Sequence, residues 1–166
     1  GLDAVQSVRK MINGEAGVFV SMGGNFLSAM SDTKTTAEAL MKCSLTVQIS
    51  TKPNRSHLVT GRTSIILPCL GRTELDKTGG EAQFVTVENS MGVVHKSIGK
   101  RKPASPHLLS ECAIVGGLAI AFEDEMGPSG IPWTELVSNY DKIRDSIERT
   151  ITGFESYNVR SRVNGG

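Results

Sequence analysis

The chain has 166 residues, of which 39% are hydrophobic and 21% are charged, and its formal net charge is +1. The length predicts one domain over residues 1–166, and the composition is typical of a globular protein and not of a disordered segment. The small net charge disfavours a nucleic-acid-binding protein, which needs a strongly basic face, and no apolar stretch approaches the ~20 residues that cross a bilayer.

The first half of the chain alternates between helical and apolar extended patterns. Asp3 is placed to cap the first predicted helix, and Thr35 and Glu38 have the spacing of a capping box in the second. In chain order the patterns predict a helix at 3–13, a strand at 18–21, a helix at 32–42, a strand at 45–49, a helical turn at 56–59 and a strand at 64–67. Three apolar strands separated by helices predict an α/β fold with a parallel sheet and helices on both of its faces.

The second half of the chain has a different pattern, with a small β arm followed by helices. In chain order it predicts strands at 83–88 and 93–98, a helix from Ser110, a helix that starts at Pro132 and ends near Gly153, and a short last helix at 155–163. The continuous apolar run at 112–122 indicates a helix buried in a core. Gly116 and Gly117 inside that run predict close packing of this helix against the sheet.

The three cysteines, Cys43, Cys69 and Cys112, are widely separated and form no Cys-x-x-Cys pair. The sequence therefore predicts neither a zinc site nor an iron–sulfur site in this chain. Their apolar or helical surroundings predict buried free thiols and a reducing compartment. No nucleophile elbow, zinc-protease motif or Walker pattern is present, so no residue is assigned a catalytic role.

Polar or glycine-rich segments follow all three predicted strands of the first half. They are Gly23, Gly24 and Asn25 after the first strand, Ser50, Thr51 and Lys52 continuing to Asn54 and Ser56 after the second, and the segment from Pro68 to Glu74 after the third. The carboxyl ends of parallel strands meet at one edge of a sheet, where ligands of α/β folds bind. The sequence therefore predicts a nucleotide-like ligand at this edge, because glycine lets a phosphate approach the backbone and an asparagine amide both donates and accepts.

Two further features each have two interpretations. The basic run Lys100-Arg101-Lys102 fits either a solvated loop or a contact to phosphate. His57 fits either a surface or capping side chain or one that approaches a ligand.

The strand-end segments resemble a known family. Residues 20–26, 47–58 and 66–74 are similar to the alpha subunits of molybdopterin oxidoreductases, and in particular to the formate dehydrogenase-like branch of the dimethyl sulfoxide reductase family. Residues 87–91, 102–111, 143–144 and 153–155 resemble the same branch. The resemblance covers essentially the whole chain.

The resemblance implies a three-layer Rossmann-like domain that holds one arm of bis(molybdopterin guanine dinucleotide), the molybdenum cofactor of the parent enzyme. The residues carried over as cofactor-binding are Gly23, Gly24, Asn25, Ser50, Thr51, Lys52, Asn54, Ser56, Pro68 and Glu74. Backbone N–H groups and Lys52 suit pyrophosphate, and Asn25 or a carboxylate suits a guanine edge. The molybdenum ligand, and an iron–sulfur cluster where the parent has one, are implied to lie elsewhere in the parent chain.

By resemblance the parent is a cytoplasmic enzyme that transfers two electrons, with oxidation of formate or a related small substrate as the leading reaction. This chain, which starts without methionine, is interpreted as a fragment that is inactive by itself. Its implied partners are the remaining domains of the parent chain and an electron-transfer subunit. The residues leave two alternatives open, a non-redox nucleotide-binding regulatory module and a subunit-contact domain in which the helix at 112–122 packs against a partner.

Overall fold

A computed structural model describes residues 1–163 of the chain, and these form two compact units. The first unit runs from Gly1 to Cys69 and the second begins at Leu70. That residues 1–166 form one domain stays a prediction. The α/β class, the parallel sheet and the small β arm are confirmed.

The first unit alternates helices and strands as the sequence predicts. Its elements are α1 (Ala4–Ile12), β1 (Val18–Met22), α2 (Phe26–Ala29), α3 (Thr33–Lys42), β2 (Leu45–Ser50), a 3₁₀ turn (Arg55–Leu58) and β3 (Thr63–Pro68). Asp3 caps α1 as predicted, and it forms a capping box with Gln6. The three strands form a parallel sheet in the order β1-β2-β3, because helical connections return the chain to the same end of the sheet.

The core of the first unit lies between its helices and one face of this sheet. Phe19 of β1 packs against a buried cluster drawn from the three helices and the residue that follows α3: Val8, Met11, Leu27, Ala39, Leu40 and Cys43. Side chains alternate between the two faces of a strand, so Val18, Val20 and Met22 point to the opposite face, where all three are exposed.

Two local predictions in the first unit are wrong. The helix after β1 was predicted to carry a capping box at Thr35, but α3 is capped by Asp32, whose carboxylate accepts the Thr35 N–H at 2.9 Å. An aspartate already precedes the helix, so Thr35 lies in its first turn and not at its cap. The four-residue helix α2 had no predicted counterpart, since four residues carry too little periodicity to detect.

The second unit contains the β arm and four helices. Its elements are β4 (Val85–Glu88), β5 (Val94–Ser97), α4 (Glu111–Met126), α5 (Trp133–Ser138), α6 (Tyr140–Thr150) and α7 (Tyr157–Arg160). The two strands pair antiparallel. At the centre of the unit the Arg144 guanidinium lies over the Phe84 ring, 3.8 Å from its centroid, and donates to the Phe84 carbonyl at 3.0 Å. None of the helices in residues 1–163 is long and apolar enough to cross a bilayer.

The predictions for the helices of this unit need two corrections. The helix predicted from Pro132 to Gly153 is two helices, because Asn139 adopts an extended conformation and its side chain caps α6. Helix α4 forms as predicted, but most of it is not buried, since only Ile114 and Gly116 are. Val115, Leu118, Phe122 and Met126 are spaced by three and four residues and form one exposed apolar stripe, with Phe122 at 64% and Met126 at 71% exposure.

The close packing predicted for the two glycines of α4 holds for Gly116 alone, and its partner is α5. A Cβ added at Gly116 would lie 2.3 Å from Val137 Cγ1, whereas one added at Gly117 would meet nothing within 4 Å. Gly116 therefore permits the α4–α5 contact, and Gly117 does not.

These neighbouring glycines give a matched test of the fold. We expect Gly116→Ala to lower the free energy of unfolding by about 1–2 kcal/mol, because overpacking against Val137 outweighs the gain in helix propensity. Gly117→Ala removes only the glycine penalty and should raise the free energy of unfolding by about 0.5–1 kcal/mol. Urea unfolding followed by circular dichroism measures both, and Val137→Ala should rescue Gly116→Ala. Equal effects of the two single substitutions would contradict the packing.

Candidate functional site

The candidate site is the edge of the sheet where the three parallel strands end. Met22 pairs with Ile49, Ile49 pairs with Leu67, and Ser50 pairs with Pro68, so the three strands end side by side. The Gly23 N–H donates to the Ile49 carbonyl at 2.8 Å and fixes the first loop to the second strand. The structure thus brings together the predicted residues that follow β1 and β2 and places Pro68 beside them.

The first loop depends on its two glycines. Gly23 and Gly24 have φ values of +63° and +64°, in the left-handed region that side chains with a Cβ disfavour. Around Gly24 a Cβ would meet nothing within 4 Å, so the backbone there is open. The turn presents bare backbone, as the sequence predicts for this position.

The first and second loops are joined by side chains from the predicted set. The Asn54 amide donates to the Gly24 carbonyl at 2.7 Å. The buried Ser56 hydroxyl donates to Asn25 Oδ1 at 2.8 Å and accepts the Leu27 N–H at 2.9 Å. Asn54 and Ser56 therefore hold the loops in position, a structural role that the sequence pattern did not separate from ligand binding.

These contacts decide which groups remain available at the edge. Asn25 Oδ1 already accepts from Ser56 and from the Ser28 N–H, so its acceptor capacity is largely used. Within residues 1–163, the backbone N–H groups of Gly24, Asn25, Thr51 and Lys52 have no hydrogen-bond acceptor, and the Lys52 ammonium has no ion-pair partner. The edge thus offers unpaired donors and the positive charge of Lys52, which is the chemistry that binds an anion.

His57 lies in the 3₁₀ turn beside these loops and caps it. His57 Nδ1 accepts the Asn54 N–H at 3.0 Å, so the proton of the neutral ring is assigned to Nε2. In the described part of the chain, Nε2 is buried and has no hydrogen-bond partner. The interpretation of His57 as a capping side chain therefore holds for Nδ1. Within residues 1–163, the Nε2–H has no acceptor.

Glu74, the last residue of the predicted set, belongs to the second unit. Its carboxylate accepts the Gly71 N–H at 2.7 Å and the Ala104 N–H at 2.6 Å, and these hydrogen bonds hold the pKa of Glu74 below its ordinary value. Both oxygens are therefore engaged within the protein. The sequence pattern did not reveal this role because Ala104 lies 30 residues away along the chain.

The three cysteines differ in how far they are shielded from solvent. Cys43 and Cys69 are buried and Cys112 is half-buried, and none forms a disulfide. Burial raises the pKa of the Cys43 and Cys112 thiols, which disfavours the thiolate that ligates metals. Among residues 1–163, no three histidine, cysteine or acidic side chains come together as a metal site would require.

Comparison with known proteins finds long relatives that match over the whole of this chain. The protein named uncharacterized oxidoreductase Rv2900c from Mycobacterium tuberculosis is 47% identical over 167 residues. Protein YdeP from Escherichia coli is 45% identical over 166 residues. The chain spans 21% and 22% of the length of these two relatives, respectively. No family model matches the chain.

The link between the two loops can be tested at Ser56. We expect Ser56→Ala to lower the free energy of unfolding by about 2 kcal/mol, because it leaves a buried N–H at Leu27 without its acceptor. Ser28→Ala is the control, since the exposed Ser28 hydroxyl makes no hydrogen bond within residues 1–163. Denaturant unfolding measures both. A Ser56→Ala protein as stable as wild type would show that the hydroxyl does not join the loops.

The Glu74 carboxylate gives a prediction for pH dependence. Because its pKa is lowered in the folded protein, it stabilises the fold above its ordinary pKa of 4.5, and that contribution is lost as the pH falls through the folded value. Glu74→Gln should therefore lower the Tm at pH 7, and the difference from wild type should shrink below pH 4.5. Glu81→Gln, at an exposed residue of the same unit, is the control and should leave the Tm at pH 7 unchanged. A difference for Glu74→Gln that does not depend on pH would contradict the carboxylate's role.

Proposed function

We propose that the chain is the cofactor-binding part of an oxidoreductase, and that its strand-end loops hold the guanine dinucleotide arm of a bis(molybdopterin guanine dinucleotide) cofactor. The observation that carries the proposal is the set of N–H groups at Gly24, Asn25, Thr51 and Lys52 that have no acceptor within residues 1–163, beside the Lys52 ammonium, which has no ion-pair partner there. A pyrophosphate is a compact anion that needs several such donors. The open backbone at Gly24 gives it room to approach.

The residues at this edge fit the pyrophosphate of the guanine dinucleotide arm, and they fit its guanine base only in part. Gly24, Thr51 and Lys52 would hold the pyrophosphate through backbone N–H groups and one ammonium, and Gly23, whose N–H donates to Ile49, would keep the turn open. The buried Nε2–H of His57 is a further donor at the same loops. Asn25 would meet a guanine through its amide Nδ2, which donates to no group within residues 1–163, since its oxygen already accepts two hydrogen bonds.

The role of each residue here is to bind and orient. When bound, the cofactor supplies two-electron redox chemistry at its metal, and no residue of this chain is proposed to contact the reacting atoms. Asn54 and Ser56 would keep the loops preformed, which lowers the entropic cost of binding. Ser50 and Pro68 end their strands at this edge. The proposed role of Glu74 is to hold two segments of the second unit together and not to contact the cofactor.

The relatives support the oxidoreductase part of the proposal. One of them is named an oxidoreductase and is 47% identical over the whole of this chain. Since the chain spans about a fifth of that relative, the activity of a whole protein is inferred and not transferred. Oxidation of formate or a related small substrate in the cytoplasm, with electrons passed to a partner subunit, remains the proposed reaction of the parent.

Titration of the chain with GDP tests the site directly. We expect weak binding in isothermal titration calorimetry, because only one arm of the cofactor is represented, and Lys52→Ala should weaken it roughly tenfold through loss of a charge-assisted hydrogen bond. Lys34→Ala is the matched control, because Lys34 is an exposed lysine that forms no ion pair within residues 1–163. GDP binding that Lys52→Ala leaves unchanged would overturn the site.

The identity of the cofactor needs a second measurement, on a whole protein. Full-length YdeP from Escherichia coli, purified from cells grown with ample molybdate, should contain molybdenum and guanine-bearing pterin in a ratio near one metal to two pterins. Absence of both, together with intact GDP binding by this chain, would replace the redox proposal by the nucleotide-binding module.

A further inference from the structure

The second unit contains a cavity that the proposed function does not use. The cavity has a volume of about 620 Å³ and is bounded by the segments 70–78 and 100–109. Small-molecule sites typically measure about 300–1,000 Å³. We name it the lysine pocket, after Lys77, Lys100 and Lys102, which line it.

The basic run of the sequence acquires a definite geometry here. Arg101 forms an isolated bridge with Glu74, and its N–H and carbonyl bond to Thr73 and Leu75. Alternate residues of an extended segment point to the same side, so Lys100 and Lys102 both line the cavity. The backbone of the middle residue of the run is therefore fixed by hydrogen bonds, and its two lysines line the same cavity.

The charge in the lysine pocket is not neutralised. Within the described chain, none of its three ammonium groups has an ion-pair or hydrogen-bond partner. The acidic side chain that lines the pocket, Asp76, is engaged by Thr78, whose N–H and hydroxyl donate at 2.9 and 2.7 Å, and by the Tyr140 hydroxyl at 2.6 Å. Three lysine ammonium groups thus line the pocket together with one carboxylate, Asp76, which already accepts hydrogen bonds from within the protein.

Most of the remaining lining is apolar, and hydrogen bonds hold the walls in place. Leu70, Leu75, Leu108 and Leu109 contribute, and Leu109 is 50% exposed. The Leu70 N–H donates to the Leu109 carbonyl at 2.9 Å, which joins the two segments at one end. The Glu74 carboxylate fastens Ala104 from the facing segment. The pocket is therefore preformed, and it combines cations with an apolar surface.

We propose that the lysine pocket binds a small organic phosphate with an apolar or aromatic body. The phosphate would lie against Lys100 and Lys102, because charge-assisted contacts favour a divalent anion. The apolar body would cover the leucines, which gains free energy by removing apolar surface from water. Bounded walls and this volume favour a small molecule over an extended acidic peptide. The site lies in the second unit and does not rest on the proposed function of the first.

The test uses phenyl phosphate as the probe, with ¹⁵N-labelled full chain and chemical shifts as the readout. Binding should shift amides in the segments 70–78 and 100–109. Inorganic phosphate, which lacks the apolar body, should bind roughly tenfold more weakly. Lys100→Ala with Lys102→Ala should weaken phenyl phosphate roughly tenfold or more, whereas Lys34→Ala should not. The substituted lysines are exposed, so the unfolding transition should stay unchanged and confirms that the variants fold.

Two further variants separate the outcomes. Leu109→Ser should weaken phenyl phosphate and leave inorganic phosphate unchanged, and Lys52→Ala should leave both unchanged because it belongs to the other unit. Equal affinity for phenyl phosphate and inorganic phosphate, or shifts outside the two segments, would overturn the proposal. Binding of a poly-glutamate peptide without binding of phenyl phosphate would overturn it in favour of a protein partner. Failure of GDP at the strand-end loops would leave the lysine pocket unaffected.

Discussion

The candidate site of the first unit depends on the hydrogen bonds that join its two loops, and the buried Ser56 hydroxyl makes two of them. Ser56 reaches from the loop after β2 to the loop after β1, where it donates to Asn25 and accepts from Leu27. A parallel sheet aligns its strands through backbone bonds, but the loops beyond the strands have no such ladder. A side-chain hydrogen bond between them is what turns two neighbouring loops into one surface with fixed donors.

The same principle operates at Glu74 in the second unit. A carboxylate that accepts two backbone N–H groups holds together segments that lie 30 residues apart along the chain. In both units, some polar side chains that the sequence suggests as ligand-binding residues instead hold the loops in position. Other donors on those loops then have no partner within the protein. The groups that remain able to bind a ligand are backbone N–H groups and lysine ammonium groups. The neighbouring polar residues fix the positions of the loops that carry them.

Much of the fold follows from local patterns. Asp3 caps the first helix, the apolar runs become the three parallel strands, and the β arm forms where it was predicted. The errors occur where a tertiary contact or a single residue outweighs the pattern. Asn139 divides a helix whose apolar spacing continues through it, and the apolar run of α4 is a stripe that remains exposed and not a buried segment. A hydropathy pattern shows that a helix face is apolar, but it does not show whether another part of the protein buries that face.

The sequence by itself determined the α/β class, the strand-end loops and the glycines that open the first of them. These follow from alternation, periodicity and the conformational freedom of glycine, which are properties of neighbouring residues. Only the tertiary structure decided that Asn25 Oδ1 already accepts a hydrogen bond from Ser56 and that the Glu74 carboxylate accepts the Ala104 N–H. It alone also decided that Lys77, Lys100 and Lys102 line one cavity. Each of these depends on partners far along the chain. A hydrogen bond or a shared pocket between distant residues leaves no periodic trace in the sequence, because it is created by the folding that brings them together.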